Sequence, residues 1–168
     1  MQLPFQFIHA SIEDLPEIVR IYNTTIANRM VTADIEPVSV ESKVGWFQEH
    51  NQETRPLWVI KQEEQVCGWI SFQSFYGRPA YQKTAEVSIY LDPIYRGQGL
   101  GKAALHYAIH TAPQLGIVTI LGFIFGHNQP SLALFKSFGF SEWGTFPGIA
   151  ELDGIERDLI ILGKRIKS

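Results

Sequence analysis

Tyr90-Leu91-Asp92-Pro93-Ile94-Tyr95-Arg96-Gly97-Gln98-Gly99-Leu100-Gly101-Lys102 joins an apolar run, Glu86 to Leu91, to a segment of helical periodicity. Asp92-Pro93 ends the run, because proline has no N–H for a ladder and restricts the residue before it. Three alternating glycines follow, with Arg96 ahead of them and Lys102 behind. A strand, a glycine-rich turn and a helix start make an anion site. The first N–H groups of a helix lack partners within it, and the macrodipole favours negative charge there. Glycines let a pyrophosphate reach the backbone. The turn therefore predicts a phosphorylated cofactor.

Outward from the turn, the chain reads as alternating elements. Phe5 to His9 is a first strand. Ser11 is a helix N-cap with Asp14 three residues on, and Ile12, Leu15, Ile18, Val19, Tyr22 and Ile26 form an apolar stripe at helical spacing. Residues 28–38 are a loop closed by Pro37. Ser39 caps a second helix expected from Val40 to about His50. Leu57 to Lys61 and Val66 to Phe75 form a hairpin about the polar turn Glu63-Glu64-Gln65. Tyr76 to Tyr81 is a loop, and Ala85 to Leu91 is the strand entering the glycine turn. The helix after the turn places Leu100, Ala104, Tyr107, Ala108 and Thr111 on one face and ends at Pro113 and Gly116. Ile117 to Phe125 is apolar throughout, as in a strand covered on both faces. A helix from Asn128 or Ser131 to Phe138, then strands over Phe140–Phe146 and Ile155–Gly163, complete the order β-α-α-β-β-β-α-β-α-β-β. That order predicts an α/β fold: a mixed sheet with helices packed on it.

At 168 residues the whole chain, 1–168, is expected to be one domain able to bury roughly 70% of its unfolded surface. A net charge of -3 argues against a nucleic-acid partner. The one cysteine, Cys67, excludes an internal disulfide, and its apolar surroundings (Val66, Gly68, Trp69, Ile70) suit an inert buried thiol better than a nucleophile. The first residues show neither a secretory signal nor a membrane span, so a cytoplasmic protein with no membrane partner is expected.

Three phosphate loops compete for the glycine turn. A P-loop needs Gly five residues before the Gly-Lys pair and Ser or Thr after it, but Arg96 and Ala103 stand there. A dinucleotide fingerprint needs a third glycine where Lys102 stands, and it belongs in the first βα turn. The third pattern, Arg/Gln-x-x-Gly-x-Gly/Ala, is met by Arg96, Gly99 and Gly101. It resembles the acetyl-CoA pyrophosphate loop of the GCN5-related N-acetyltransferases. The alternative is a helix start with glycines and no ligand. A second element strengthens the resemblance: Asn128, Ser131, Leu134-Phe135 and Gly139-Phe140 stand at that superfamily's spacing. Ile21-Tyr22-Asn23, Val44-Gly45-Trp46-Phe47, Arg78-Pro79-Ala80-Tyr81 and Thr84-Ala85-Glu86-Val87-Ser88-Ile89-Tyr90 look like the phosphinothricin or L-amino acid N-acetyltransferase subfamily. The likeness spans essentially the whole chain. It implies a mostly antiparallel sheet with helices on both faces and a splayed central strand pair.

The resemblance also implies roles. The superfamily moves acetyl from acetyl-CoA, a co-substrate, to an amine without an acyl-enzyme, and the sequence offers no Gly-x-Ser-x-Gly elbow. Glu86, a carboxylate interrupting an apolar strand, matches the subfamily's strand glutamate and is the candidate base; the bland alternative is a solvent-facing strand residue. Ile89, Tyr90 and Leu91 match the splayed stretch whose backbone binds pantetheine and supplies an oxyanion donor, with their side chains expected in the core. Arg96, Gly97, Gln98, Gly99, Leu100, Gly101 and Lys102 hold the pyrophosphate, mainly by backbone N–H. Asn128 either bonds the pantetheine arm or is a plain N-cap. Lys136 either approaches the phosphates or is an exposed helix lysine. Phe135 stands where many members carry an acidic Tyr, so no general acid is assigned.

For the acceptor, Arg78 suits bidentate capture of a carboxylate, against a surface charge in a loop, and Tyr81, Thr84, Glu86 and Ser88 could line the same pocket. His106 and His110 lack the Glu of a His-Glu-x-x-His metal site, so no metal is expected. His127 is left outside the catalytic set. The resulting expectation is an N-acetyltransferase of small amines, L-amino acids or analogues such as methionine sulfoximine, methionine sulfone and phosphinothricin. The subfamily likeness implies a homodimer. The competing readings are acetylation of a protein N-terminus or another amine, and a catalytically silent acetyl-CoA-binding module.

Overall fold

The computed structural model describes residues 5–166. Among them, seven strands form one sheet: β1 Gln6–His9, β2 Leu57–Gln62, β3 Gln65–Ser74, β4 Thr84–Leu91, β5 Thr119–Phe125, β6 Ser141–Leu152 and β7 Ile155–Arg165. Their order is β1-β2-β3-β4-β5-β7-β6. The pairings are antiparallel except that of β4 with β5. That parallel ladder is short. It runs from Thr84↔Thr119 to Glu86↔Leu121 and stops, although β4 continues to Leu91. Beyond Glu86 the two strands part, and β4 keeps only β3 beside it.

Helices α1 (Leu15–Thr24), α2 (Val44–Gln48), α3 (Leu100–Thr111) and α4 (Gln129–Ser137) cover both faces. Strand alternation decides which side chain meets which helix. Trp58, Ile60, Ile70, Phe72, Ala85 and Val87 pack with Leu100, Ala104, Leu105 and Ala108 of α3 and with Leu132 and Phe135 of α4. On the opposite face, Leu57, Val59 and Trp69 meet Leu15, Ile18, Val19 and Ile21 of α1. Cys67 breaks the alternation. The β2–β3 register slips there, pairing Ile60 with Gly68 but Lys61 with Val66, and the extra residue turns its thiol into the α3 side.

Local signals place the element ends. Ser11 N–H donates to the Asp14 carboxylate at 2.9 Å ahead of α1. Asn128 caps α4 by accepting from Ser131 N–H at 3.3 Å. The β6–β7 turn, Asp153-Gly154, has both residues at positive φ (53° and 78°), the left-handed pair that a tight hairpin requires. Two expectations need correction. The second helix is confined to Val44–Gln48, behind a 3-10 turn at Glu41–Lys43, with Ser39 accepting from Ser42 N–H at 3.2 Å instead of capping a long helix. The strand expected to end at Phe146 runs on to Leu152, because the register irregularity between Phe146 and Ala150 absorbs Pro147 and Gly148 on an edge strand. No described helix is long and apolar enough to cross a membrane.

Candidate active site

The site is organised by β4, which presents different groups in three directions. Ala85 and Val87 enter the α3 core, and Ile89 and Leu91 pack against it. Glu86, Ser88 and Tyr90 point the other way, into a cavity of about 240 Å³. The third direction is the strand's edge, which from Val87 to Leu91 has no strand partner on the β5 side. Tyr90 packs against the α1-side core, as expected, and also lines the cavity with Glu86.

Lying at the point where β4 and β5 separate, Glu86 pairs across the sheet with Gln73, which also lines the cavity. Burial pushes its carboxyl up to about 7. No hydrogen bond or ion pair from the described residues offsets that burial, so the carboxyl keeps its lone pairs for a visiting proton. The cavity is otherwise walled by rings. Trp69 stacks on Tyr90 at 4.6 Å, Trp46 meets Trp69 edge-on at 5.3 Å, and Tyr22 lies 5.0 Å from Tyr90. Burial pushes the Tyr90 phenol up to about 12, so it stays protonated. The Tyr22 hydroxyl bonds Thr32 at 2.5 Å and donates to Asp34, and burial, aided by the Asp34 bond, raises the Tyr22 pKa.

Below the open edge lies the glycine turn. Asp92, 5% exposed, accepts from Ile94 N–H at 3.1 Å and pairs with Arg20 of α1 at 3.0 Å, fixing the 3-10 turn Pro93–Tyr95 to the first helix. Gly97 and Gly99 take φ of 80° and 77°, and a Cβ on either would meet nothing within 4 Å. That open space, beside the free N–H groups at the start of α3, fits a pyrophosphate drawn against the backbone. Arg96 and Lys102 are exposed beside it, and Gln98 is half-buried. Gly101 has a packing role: a Cβ there would lie 3.3 Å from Leu134 Cδ2. Leu100 is buried, so only its backbone is available.

Several sequence candidates have protein partners of their own. Asn128 is 7% exposed; besides capping α4 it donates to Met30 O at 3.1 Å. The neighbouring His127 Nε2–H donates to Arg29 O at 2.8 Å. Together they strap the 25–38 loop to the end of β5. Lys136 pairs with Glu142 at 3.0 Å on the exposed side of α4. Phe135 is buried against Gly122 of β5, where a Cβ would come within 2.7 Å of its ring. Cys67 is fully buried, donates to Ile60 O at 3.3 Å, and burial pushes its thiol up to about 11, which leaves no thiolate nucleophile. Thr84 is half-buried and shares the strand face of Glu86 without lining the cavity. Arg78 and Tyr81 are exposed in the 76–83 loop and do not line the cavity either; Tyr81 packs edge-on against Phe75 at 5.6 Å. His106 and His110 stack at 3.9 Å on the exposed face of α3.

Two features escaped the sequence. Lys43, at the start of α2, lines the cavity with its ammonium 5.6 Å from the Tyr22 ring centroid. Its only sequence signal is its place just ahead of Val44-Gly45-Trp46-Phe47. Arg55, 8% exposed, donates to Ser74 Oγ at 3.0 Å and to the carbonyls of Thr54 and Gln82, each at 2.7 Å, and so pins the 76–83 loop. A lone arginine ahead of a strand gives no such signal.

Residues 18–140 match the family model described as "Acetyltransferase (GNAT) family". The chain is 57% identical over 158 residues to "Putative phosphinothricin acetyltransferase YwnH" of Bacillus subtilis, covering 94% of this chain and 96% of that one. It is 27% identical over 154 residues to the L-methionine sulfoximine/L-methionine sulfone acetyltransferase of Pseudomonas aeruginosa, covering 91% and 90%. A crystal structure of a phosphinothricin acetyltransferase from Sinorhizobium meliloti in complex with acetyl-CoA superposes with a TM-score of 0.89 at 27% identity, covering 99% of this chain and 89% of that one.

Proposed function

The chain belongs to the acetyltransferase (GNAT) family and is an N-acetyltransferase, and we propose that it moves the acetyl group of acetyl-CoA directly to the α-amine of an L-amino acid or a close analogue. The observation that carries this reading is Glu86: a half-buried, unpartnered carboxyl at the mouth of the β4–β5 split, in an aromatic cavity, with its pKa pushed up to about 7. The relatives named for phosphinothricin and for methionine sulfoximine and sulfone support small amino-acid-like acceptors, and the acetyl-CoA complex of the Sinorhizobium protein supports the donor.

Acetyl-CoA, when bound, supplies an activated acetyl carbon with a thiolate leaving group. The glycine turn, Arg96 to Lys102, holds its phosphates through backbone N–H groups. The open β4 edge at Ile89, Tyr90 and Leu91 binds the pantetheine as an added strand, and a backbone N–H there faces the carbonyl oxygen as its charge grows. Glu86 takes a proton from the acceptor's ammonium, directly or through water, so that the nitrogen can form its bond to the acetyl carbon as the C–S bond breaks. The nitrogen's second proton passes to the departing sulfur or to solvent, since Phe135 has none to give.

The working unit in this reading is one domain spanning 1–168, cytoplasmic and homodimeric. The exposed apolar residues Trp143, Phe146, Ile149 and Ile155 on the β6–β7 hairpin supply surface for a second copy. The test is thiol release at saturating acetyl-CoA across a panel of amino acids, their analogues, N-terminal peptides and simple amines. Turnover of amino acids above the rest is expected. Preference for peptides, or tight acetyl-CoA binding with no turnover, refutes the reading.

A further inference from the structure

Among the described residues, two charged side chains line the cavity, Glu86 and Lys43. The remaining lining is aromatic, aliphatic or neutral and polar, with Gln73 and Ser88 the small polar groups. Lys43 stands at the N-cap of α2, and its ammonium sits over the Tyr22 ring. That ring is itself anchored, because its hydroxyl is committed to Thr32 and Asp34. The four ion pairs among the described residues do not include Lys43. An ammonium held against an aromatic face, without a carboxylate partner, is ready to receive one. Arg78, the cation whose sequence context suggested carboxylate capture, is exposed and lies outside the cavity lining.

We propose that Lys43 is a specificity-determining residue that binds the α-carboxylate of the acceptor while the α-amine faces Glu86. The inference rests on the acceptor class proposed above and names the group that selects it. One anionic and one cationic group in a single cavity match a zwitterion. A monoamine leaves Lys43 unpaired, and a diamine brings a second positive charge toward it. Tyr22, Trp46 and Trp69 then face the acceptor's side chain, which favours an extended, uncharged one.

The test compares L-methionine sulfone with its carboxamide, which keeps the amine and side chain and loses the negative charge. kcat/KM for each is measured at saturating acetyl-CoA in wild type, K43M, K43R and R78A. Wild type should prefer the acid at least tenfold. K43M should abolish that preference by raising KM for the acid tenfold or more, with KM for acetyl-CoA within twofold of wild type, and K43R should restore part of it. Equal losses on both acceptors in K43M would mark a packing defect and overturn the inference. Preference retained in K43M but lost in R78A would return the carboxylate to the arginine loop and also overturn it. Amino acid turnover with the K43M preference intact defeats this inference alone. A wild type that acetylates simple amines but no amino acid defeats the acceptor class as well.

Discussion

Replacing Glu86 by Gln should damage catalysis and stabilise the fold, and the second effect has a calculable pH dependence. Burial lifts the Glu86 carboxyl from 4.5 to about 7. Each pKa unit corresponds to about 1.4 kcal/mol, so the folded state disfavours the ionised form by on the order of 3 kcal/mol. The sign follows from proton binding. Between those two values the folded chain holds a proton that the unfolded chain has released. Stability therefore falls as pH rises from 4.5 to about 7 and stays lowered above that. Glutamine fills nearly the same volume and never ionises. Urea unfolding of ligand-free protein at roughly pH 4.5 and roughly pH 8 separates this from any packing effect, which is common to both conditions. E86Q should gain on the order of 3 kcal/mol over wild type between the two, or roughly 5–10 °C in Tm for a chain of this size. Its kcat should fall by about 10² to 10⁴, and the wild-type rate should rise with pH to a plateau above about 7. A stability difference that is the same at both pH values would refute a desolvated Glu86; an unchanged kcat would remove it as the base.

Two further substitutions probe the frame around the site. G99A places a Cβ at φ 77° with open space around it, so its cost, about 1–2 kcal/mol, is conformational. It should raise KM for acetyl-CoA roughly five- to thirtyfold while leaving KM for the acceptor alone, as initial-rate kinetics would show. G122A sets a methyl 2.7 Å from the Phe135 ring and should lower stability by about 1–3 kcal/mol. The double variant G122A/F135L should recover much of that in a thermal melt; no recovery would mean the strain lies elsewhere.

The architecture was legible where a local interaction decides a local outcome. Asn128 caps α4 through its own side chain, and Asp153-Gly154 supplies the left-handed pair its hairpin demands. Strand alternation alone places Tyr90 on the cavity face, since it lies four residues from Glu86 on a period of two. Other features depend on partners distant in sequence. Asn128 meets Met30 only after the helix has docked. Arg78 reads well beside Pro79-Ala80-Tyr81, yet whether its loop reaches the cavity depends on how residues 76–83 are held, and Arg55 takes part in that. Lys43 had no motif of its own because its meaning comes from the Tyr22 ring and the Glu86 cavity, both on other elements.

What ties these elements into a catalyst is the early end of the β4–β5 ladder. Had the parallel pairing continued past Glu86↔Leu121, β5 would occupy the edge of Ile89–Leu91 and the backbone groups there would be satisfied. The same residue that ends the ladder carries the carboxyl. In the proposed mechanism, the donor along the open edge and the proton acceptor facing the cavity are therefore set by one strand. The strand's other face, through Ala85 and Val87, is locked into the α3 core, and α3 begins at the glycine turn. In the proposed reading, donor edge, phosphate turn and base are therefore fixed to one rigid unit, β4–α3, as preorganisation requires. The acceptor wall is built separately, from α1, α2 and the loop strapped down by His127 and Asn128. Substitutions on that wall can change which amine enters without moving the donor, and that is why Lys43 should govern KM for the acceptor and leave acetyl-CoA binding intact.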